Sequence, residues 1–420
     1  MHTRSSFRRS ICLFGSLSVL LTAAARELPV VAPESAGMSS TKLGKVDDVV
    51  KDLVGQKKLA GATVMITRHG KVVYFKSFGK MDLDADKPMR EDAIFRIYSM
   101  SKAITTTAAL MLYDDGKIKL DDPVSKFVPD FKGLKVWNEA GNVAPMHEPT
   151  IRDLMRHTAG LTYGAFGDTP VDRLYREAKV LNPNEDLQTM CEKLGKLPLL
   201  YDPGTKWVYS VAVDVLGRVI EVASGMTFDA FLQKRLFEPL EMKDSGFYVP
   251  HEKLDRFAAI YNSDGNGTLQ PAETQAKSPY LAKPKLLSGG GGMVSTTRDY
   301  MRFLQMIAHG GELDGARIMK PATVALMTHN QLPPALVPIS MSVGKRPGVG
   351  FGLGFSVRVE SADDDSSGHL GEYGWGGMAS THYWSSPKDA LVVVTMEQTL
   401  PFSLLLETAV KKPIYDAITK

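Results

Sequence analysis

The sequence predicts an α+β protein: an antiparallel β-sheet flanked by helices, with a mostly helical domain inserted into it. Three observations carry that expectation. Strand-like runs of β-branched and aromatic residues occur near both ends of the 420-residue chain and are scarce between them. The middle is instead a succession of helix-period segments punctuated by proline and glycine. With 44% hydrophobic and 23% charged residues, the composition is that of a globular protein long enough to bury a large core. Strands from both ends then share one sheet, with the helical insertion against one side and a cleft between them.

Along the chain, Arg4, Arg8 and Arg9 precede an apolar run over 11–21, and Ala23-Ala24-Ala25 follows. This is the order of a secretory signal peptide cleaved after Ala25; a membrane anchor would need a longer run. Residues 41–57 carry Leu43, Val46, Val49, Val50 and Leu53 at helical spacing. Residues 62–67 and 72–75 read as a β-hairpin around a turn containing Gly70. The run 103–112 reads as a buried helix, weakened by Thr105-Thr106-Thr107, and 213–223 as another. Thr296, with Asp299 three residues on, marks a helix N-terminus. Strands return at 351–359, 379–384 and 391–396, and 402–418 closes the chain as a helix. The domains are therefore expected as a signal peptide (1–25), a sheet domain (26–117 with 286–420) and a helical insertion (118–285).

Charge and cysteine content narrow the function. Loss of residues 1–25 removes three arginines and no acid, so the formal charge falls from +3 to 0. A neutral chain has no basic excess for nucleic acid or anionic lipid. No later apolar run is long enough for stable membrane insertion. Cys12 leaves with the signal peptide, and Cys191 alone forms no internal disulfide, which suits a secreted or periplasmic protein. Neither an H-E-x-x-H nor a clustered Cys/His spacing points to a metal, no cofactor is expected, and the G-x-S-x-G elbow is missing.

The chemistry concentrates in Phe95-Arg96-Ile97-Tyr98-Ser99-Met100-Ser101-Lys102. Ser99 and Lys102 are three residues apart, so a helix starting at Ser99 projects both from one face. A serine hydroxyl needs a base to become a nucleophile, and a lysine one turn away can supply it. The helix start would also aim free N–H groups at an anion forming beside that hydroxyl. S-x-x-K also occurs at Ser39/Lys42, Ser77/Lys80, Ser342/Lys345 and Ser385/Lys388, in a helix cap, a strand end, a loop and a turn. Context, rather than the tetrapeptide, singles out Ser99.

Two further segments are candidates. Pro203-Gly204-Thr205-Lys206-Trp207-Val208-Tyr209-Ser210 puts Tyr209 at a loop mouth, where a phenol beside an ammonium could act as a second base; the alternative is an ordinary half-buried tyrosine. Glu372-Tyr373-Gly374-Trp375-Gly376-Gly377-Met378 precedes a strand, and its glycines allow close approach of a substrate to backbone N–H groups; the alternative is a glycine-rich turn.

These motifs, with His157-Thr158-Ala159-Gly160-Leu161 and the glycine run before Met293-Val294-Ser295-Thr296, occur in one order over residues 33–418. Together they resemble the serine β-lactamase-related superfamily, in its class C-like branch, and most nearly the family VIII carboxylesterases. The resemblance implies a β-lactamase/transpeptidase-like fold and a small-molecule ester as substrate. It makes Ser99 the acylated nucleophile, Lys102 its activating partner and Tyr209 the general base. Backbone N–H groups of Ser99 and Met378 would form the oxyanion hole. Trp375, followed by Gly376 and Gly377, would stand where β-lactamases carry the lysine of Lys-Thr-Gly; His369-Leu370-Gly371 is a rival alignment. The β-lactamase Tyr-x-Asn reads Tyr209-Ser210-Val211, so the amide that could hold an acylamino side chain is gone. With Trp375 in the lysine position, a cation for a β-lactam carboxylate is gone as well, which favours small neutral esters. A β-lactamase, DD-peptidase or D-aminopeptidase, an acyltransferase, and a catalytically inactive binding module stay open as alternatives.

Overall fold

The computed structural model describes residues 27–273, 277–341, 344–361 and 368–419. The expected signal peptide at 1–25 lies outside them. Helix α1 (Ser40–Gly55) is capped by Ser39, which accepts from the Lys42 amide, and buries Leu43, Val46, Val50 and Leu53. Strands β1 (Gly61–Arg68) and β2 (Lys71–Asp82) form the expected hairpin, edged by the short β3 (Lys87–Pro88). Three long helices follow: α2 (Ser101–Asp114), α3 (Ala212–Ser224) and α4 (Thr297–Ala308). The C-terminal part supplies β4 (Val349–Phe351), β5 (Ser356–Arg358), β6 (Tyr373–Gly376), β7 (His382–Ser386), β8 (Leu391–Met396) and α5 (Leu405–Asp416).

The eight strands form one antiparallel sheet in the order β4-β5-β6-β7-β8-β1-β2-β3. Its central pairing joins the two ends of the chain, from Thr63 opposite Met396 to Arg68 opposite Leu391. Alternation along β1 sends Val64 and Ile66 to one face and Thr63, Met65 and Thr67 to the other. On the first face they pack with α1 and α5 through Leu43, Val46, Val50, Leu406, Val410 and Ile414. On the second, α4 brings the Thr297 hydroxyl to 2.6 Å from that of Thr63, and Gln305 donates to Thr67 Oγ1 at 2.7 Å. Helices thus cover both faces of a sheet whose strands read as near-continuous apolar runs.

Helix α2 is enclosed, with every residue from Ser101 to Leu112 buried. That explains its lack of a polar face. Two of its three threonines are satisfied, Thr105 Oγ1 by Ser101 O (3.0 Å) and Gly289 O (2.8 Å) and Thr107 by the Met327 sulfur, while the Thr106 hydroxyl has no partner among the described residues. The segment 118–285 contributes α3, four shorter helices (Ile151–Met155, Pro170–Glu177, Leu187–Leu194 and Phe228–Leu232) and a small hairpin, Tyr261–Ser263 with Leu269–Pro271. One apolar cluster runs from Leu154, Val215 and Leu216 in this segment through Ile104 and Ala108 of α2 to Val394 of the sheet.

Several boundaries differ from expectation, among them the closing helix, expected from 402 and found from Leu405, and the second hairpin strand, expected at 72–75 and found over Lys71–Asp82. The strand expected at 351–359 is the β4–β5 hairpin, because the chain reverses at Gly352-Leu353-Gly354, where Gly354 has φ +86°. The strand expected from Ala379 begins at His382, after a turn closed by Ser380 N to Gly377 O (2.9 Å). The helix expected to start at Ser99 is a 3-10 turn over Tyr98–Met100, and α2 proper begins at Ser101.

Candidate active site

The strand Ile94–Arg96 delivers the chain to Ser99. It pairs with Val294–Thr296, and Ile97 N continues the ladder to Met293 O at 3.0 Å. The Arg96 side chain is buried on the Phe257 ring, 3.9 Å from its centroid, donates to Ala258 O at 2.7 Å and pairs with Glu273. Tyr98 then takes φ +40°, a left-handed conformation that a bulky residue rarely adopts and that is held by the structure on either side. The result is a half-buried Ser99 facing a cavity of about 530 Å³. Ser101, by contrast, is buried and accepts from Met293 N at 3.2 Å, a structural tie.

Lys102, one turn on, is 1% exposed. Its Nζ has three partners: Ser99 Oγ at 3.2 Å, Tyr163 OH at 2.9 Å and Gly290 O at 2.6 Å. An ammonium satisfies all three as donor; a neutral amine donates to two and offers its lone pair to the serine hydroxyl. The same Nζ sits 4.5 Å from the centroid of the Tyr209 ring, over its face. Tyr209 lines the cavity and its hydroxyl accepts from Trp375 Nε1 at 3.3 Å. Tyr209 is positioned by an aromatic shell: His157 (4.9 Å), Tyr163 (5.4 Å), Trp375 (5.5 Å) and Phe166 (6.0 Å). Burial, and next Lys102, push the His157 pKa well below the usual value, so this histidine is a neutral packing group.

Two residues of this site escaped sequence reasoning. Tyr163, through its hydroxyl, accepts from Lys102 Nζ at 2.9 Å, and burial pushes its pKa well up. It sits six residues after His157, at the end of a motif read only as a landmark. Asp214, on α3, accepts from Ser288 Oγ at 2.5 Å and Gly290 N at 3.0 Å, while its other oxygen has no partner among the described residues. Burial raises its pKa and Lys102 opposes the shift. A lone acid in the apolar run 212–220 was the available signal. Gly290 is the residue that fits here, because a Cβ would collide with Asp214 and the Tyr163 hydroxyl.

The opposite wall is β6. Trp375 is buried in it, opposite Tyr383 of β7, and Gly376, Gly377 and the exposed Met378 continue along the cavity. A Cβ on Gly377 would collide with Ile97 O, so glycine lets this strand end press against the backbone just before Tyr98. His369, the rival to Trp375, does not line this cavity; its Nδ1 lies 2.5 Å from Asp389 Oδ2 and its ring packs on Tyr415. The sequence reading that no cation is at hand for a substrate carboxylate is corrected: Arg346 and Arg358, from the β4–β5 region, line the same cavity. They are far in sequence from the third motif, so inspection of that motif alone could not find them. A cleft of about 570 Å³ elsewhere, beside Leu59, Lys80 and Leu269, is as large but has none of this chemistry.

The Beta-lactamase family profile matches residues 46–408. Esterase EstB of Burkholderia gladioli is 30% identical over 389 residues, covering 87% of this chain and 91% of its own. The structure of EstCE1, a hydrolase with promiscuous acyltransferase activity, superposes with a TM-score of 0.77 at 27% identity, over 89% of this chain and 99% of that one. A class C beta-lactamase shares the fold, with a TM-score of 0.67 at 17% identity over 91% and 97% of the two chains. A lysine-backed serine turn, set between an antiparallel sheet and a helical segment, is thus found in a chain that belongs to the Beta-lactamase family of serine hydrolases, near the family VIII esterases.

Proposed function

We propose that this serine hydrolase cleaves small carboxylic esters through an acyl-enzyme on Ser99. The observation that carries the reading is the 3.2 Å approach of Lys102 Nζ to Ser99 Oγ at the floor of the cavity. Ser99 Oγ attacks the ester carbonyl while its proton passes to Lys102. Amides of Ser99 and Met378 hold the oxyanion, and Tyr209, which faces the cavity, gives its phenol proton to the departing alcohol and takes the serine proton from Lys102 in its place. Water then attacks the acyl-enzyme by the reverse route, releasing the acid and restoring Ser99. Tyr163 stands behind Lys102, outside the cavity lining, and positions it. The aromatic wall of Phe166, Tyr209 and Trp375 leaves the scissile bond in apolar surroundings, and Val211 offers no amide for an acylamino group. Both features favour esters over β-lactams.

The test is covalent labelling with a fluorophosphonate, followed by peptide mapping, alongside turnover of p-nitrophenyl butyrate. An adduct on the peptide containing Ser99, absent from Ser99→Ala, supports the assignment; an adduct on another serine overturns it. Acyl transfer is the second reading, favoured by the likeness to EstCE1. It is read from the same assay by adding a primary alcohol and measuring new ester against free acid. We further propose that residues 1–25 are removed on export, which N-terminal sequencing of protein from its native host would show as a start at Arg26.

A further inference from the structure

Beyond Trp375 the cavity ends in charge. Lys345, Arg346, Arg358 and Lys411 line it, against two carboxylates, Glu372 and Glu407. Lys411 takes both acids, with Nζ 2.5 Å from Glu372 Oε1 and 3.5 Å from Glu407 Oε1. Glu372 also accepts from Tyr415 OH. His382, 3.9 Å from Glu407 Oε2, is kept in its neutral form by burial. Among the described residues, no carboxylate lies within ion-pair distance of Lys345, Arg346 or Arg358.

Arg346 is the best placed of the three. Its backbone is fixed by Arg346 N to Ile339 O at 3.0 Å and Val349 N to Arg346 O at 3.1 Å. Its guanidinium is half-buried, 5.8 Å from the centroid of the Trp375 ring. Burial works against its charge, Glu407 supports it, Arg358 opposes it again and Glu372 adds further support, yet a guanidinium stays protonated at any ordinary pH. A partly desolvated cation with no carboxylate in direct contact keeps part of its desolvation cost, which a ligand anion seated on it would offset. The route to the reacting end is short. Trp375 links by Nε1 to the Tyr209 hydroxyl, and the Tyr209 ring lies on Lys102, which touches Ser99. Arg346 is therefore one indole beyond Tyr209.

Building on the ester-hydrolase reading of Ser99, we propose that the substrate is an ester carrying a carboxylate away from the scissile bond, and that Arg346 holds it. The planar fork of a guanidinium matches a carboxylate in two parallel hydrogen bonds. Arg358 adds positive potential, whereas Glu372 and Glu407 in the same chamber disfavour a more highly charged phosphate. The reacting centre stays neutral and apolar, and the charge sits at the far end.

Two matched pairs of esters test this, one for each side of the ester bond. 4-Acetoxybenzoate against its methyl ester places the carboxylate on the alcohol side, and monomethyl against dimethyl glutarate places it on the acyl side. In at least one pair the wild type should show a higher kcat/KM for the anion than for the neutral ester. That ratio should fall about tenfold or more in Arg346→Met, as loss of a charge-assisted contact does, and recover in part in Arg346→Lys. A ratio at or below one in both pairs, or one unmoved by Arg346→Met, overturns the proposal. Calorimetric titration of Ser99→Ala with glutarate, with and without Arg346→Met, reads the same site without turnover. Binding weakened by the arginine change supports the proposal, and equal binding refutes it. If no ester of either kind is hydrolysed, the ester-hydrolase reading fails, and the titration still decides the role of Arg346.

Discussion

The two ends of the cavity are built differently. At the Ser99 end, Lys102 spends all three of its bonds on Ser99, Tyr163 and Gly290, and a shell of aromatic rings fixes Tyr209 from several sides. At the Arg346 end, cations outnumber carboxylates and the two acids are already taken by Lys411. Groups that must act in a fixed geometry are oriented by the protein before substrate arrives, since no reorganisation is then needed during the reaction. Groups that receive a ligand are left incomplete, and the ligand completes them. The contrast separates machinery from recognition without reference to any motif.

The most severe way to break the machinery is Ser99→Ala, which should lower kcat by about three orders of magnitude or more. An active variant would move the nucleophile elsewhere. Next is the pair Lys102→Ala and Tyr209→Phe. Each should cost about a hundredfold or more in kcat, and the double variant little more than the worse single one, because the two act on the same proton. Additive losses would show that they work separately. Tyr163→Phe sharpens the division between the two phenols. It removes a bond to Lys102 but no group facing the cavity, so its loss should be about ten- to a hundredfold, below that of Tyr209→Phe. The reverse order would transfer the proton-shuttling role to Tyr163.

Beside Tyr209, the choice between ester and β-lactam is probed by comparing p-nitrophenyl butyrate with a chromogenic cephalosporin. The ester should be favoured by at least about tenfold in kcat/KM, since Val211 leaves an acylamino group without a partner. Equal turnover would restore the β-lactamase reading. The smallest effect lies outside the cavity. Glu397 is buried, accepts from Thr399 Oγ1 at 2.7 Å, and burial pushes its pKa up to about 8 from an ordinary 4.5. Between those values the unfolded chain loses a proton that the native state keeps, so this residue's contribution falls as pH rises through the window, by at most about 1.4 kcal/mol per unit. Glu397→Gln should flatten the fall of Tm between pH 5 and 8. An unchanged slope would mean that Glu397 is already ionised in the native state.

Much of this was legible in the residues. Helix α1, the β1–β2 hairpin, the Thr296 cap and β8 are local patterns: periodicity, turn residues and a side chain bonding its own backbone three residues on. Ser99, Lys102, Tyr209 and Trp375 were likewise visible because each sits in a short segment with an order along the chain. What stayed hidden depends on distance in sequence. Tyr163 meets Lys102 across 61 positions and Gly290 meets it across 188, so no window containing one shows the other. Asp214 looks like an exception in an apolar helix until the glycine run folds against it. Arg346 is an ordinary loop arginine in a Gly/Pro-rich stretch, and acquires meaning only when β4 and β6 bring it beside Trp375. The 3-10 turn at Ser99 was missed for another reason: the strained Tyr98 is imposed by the Arg96 anchor and the Gly377 contact, neither of which is a local propensity.

The pairing of β1 with β8 also bears on how the chain is made. Residues 63–68 emerge from a ribosome long before their partners at 391–396, which pair with them across most of the sheet domain's length in sequence. Until then β1 has β2 on one side and an unsatisfied edge on the other, with Val64 and Ile66 lacking the α5 residues that cover them. Closing a contact over so many intervening residues is slow, and the open edge invites association with other chains while it lasts. The molecule therefore cannot complete its sheet in step with translation, and loss of the residues from Leu391 on would unzip it at the middle rather than fray it at an end.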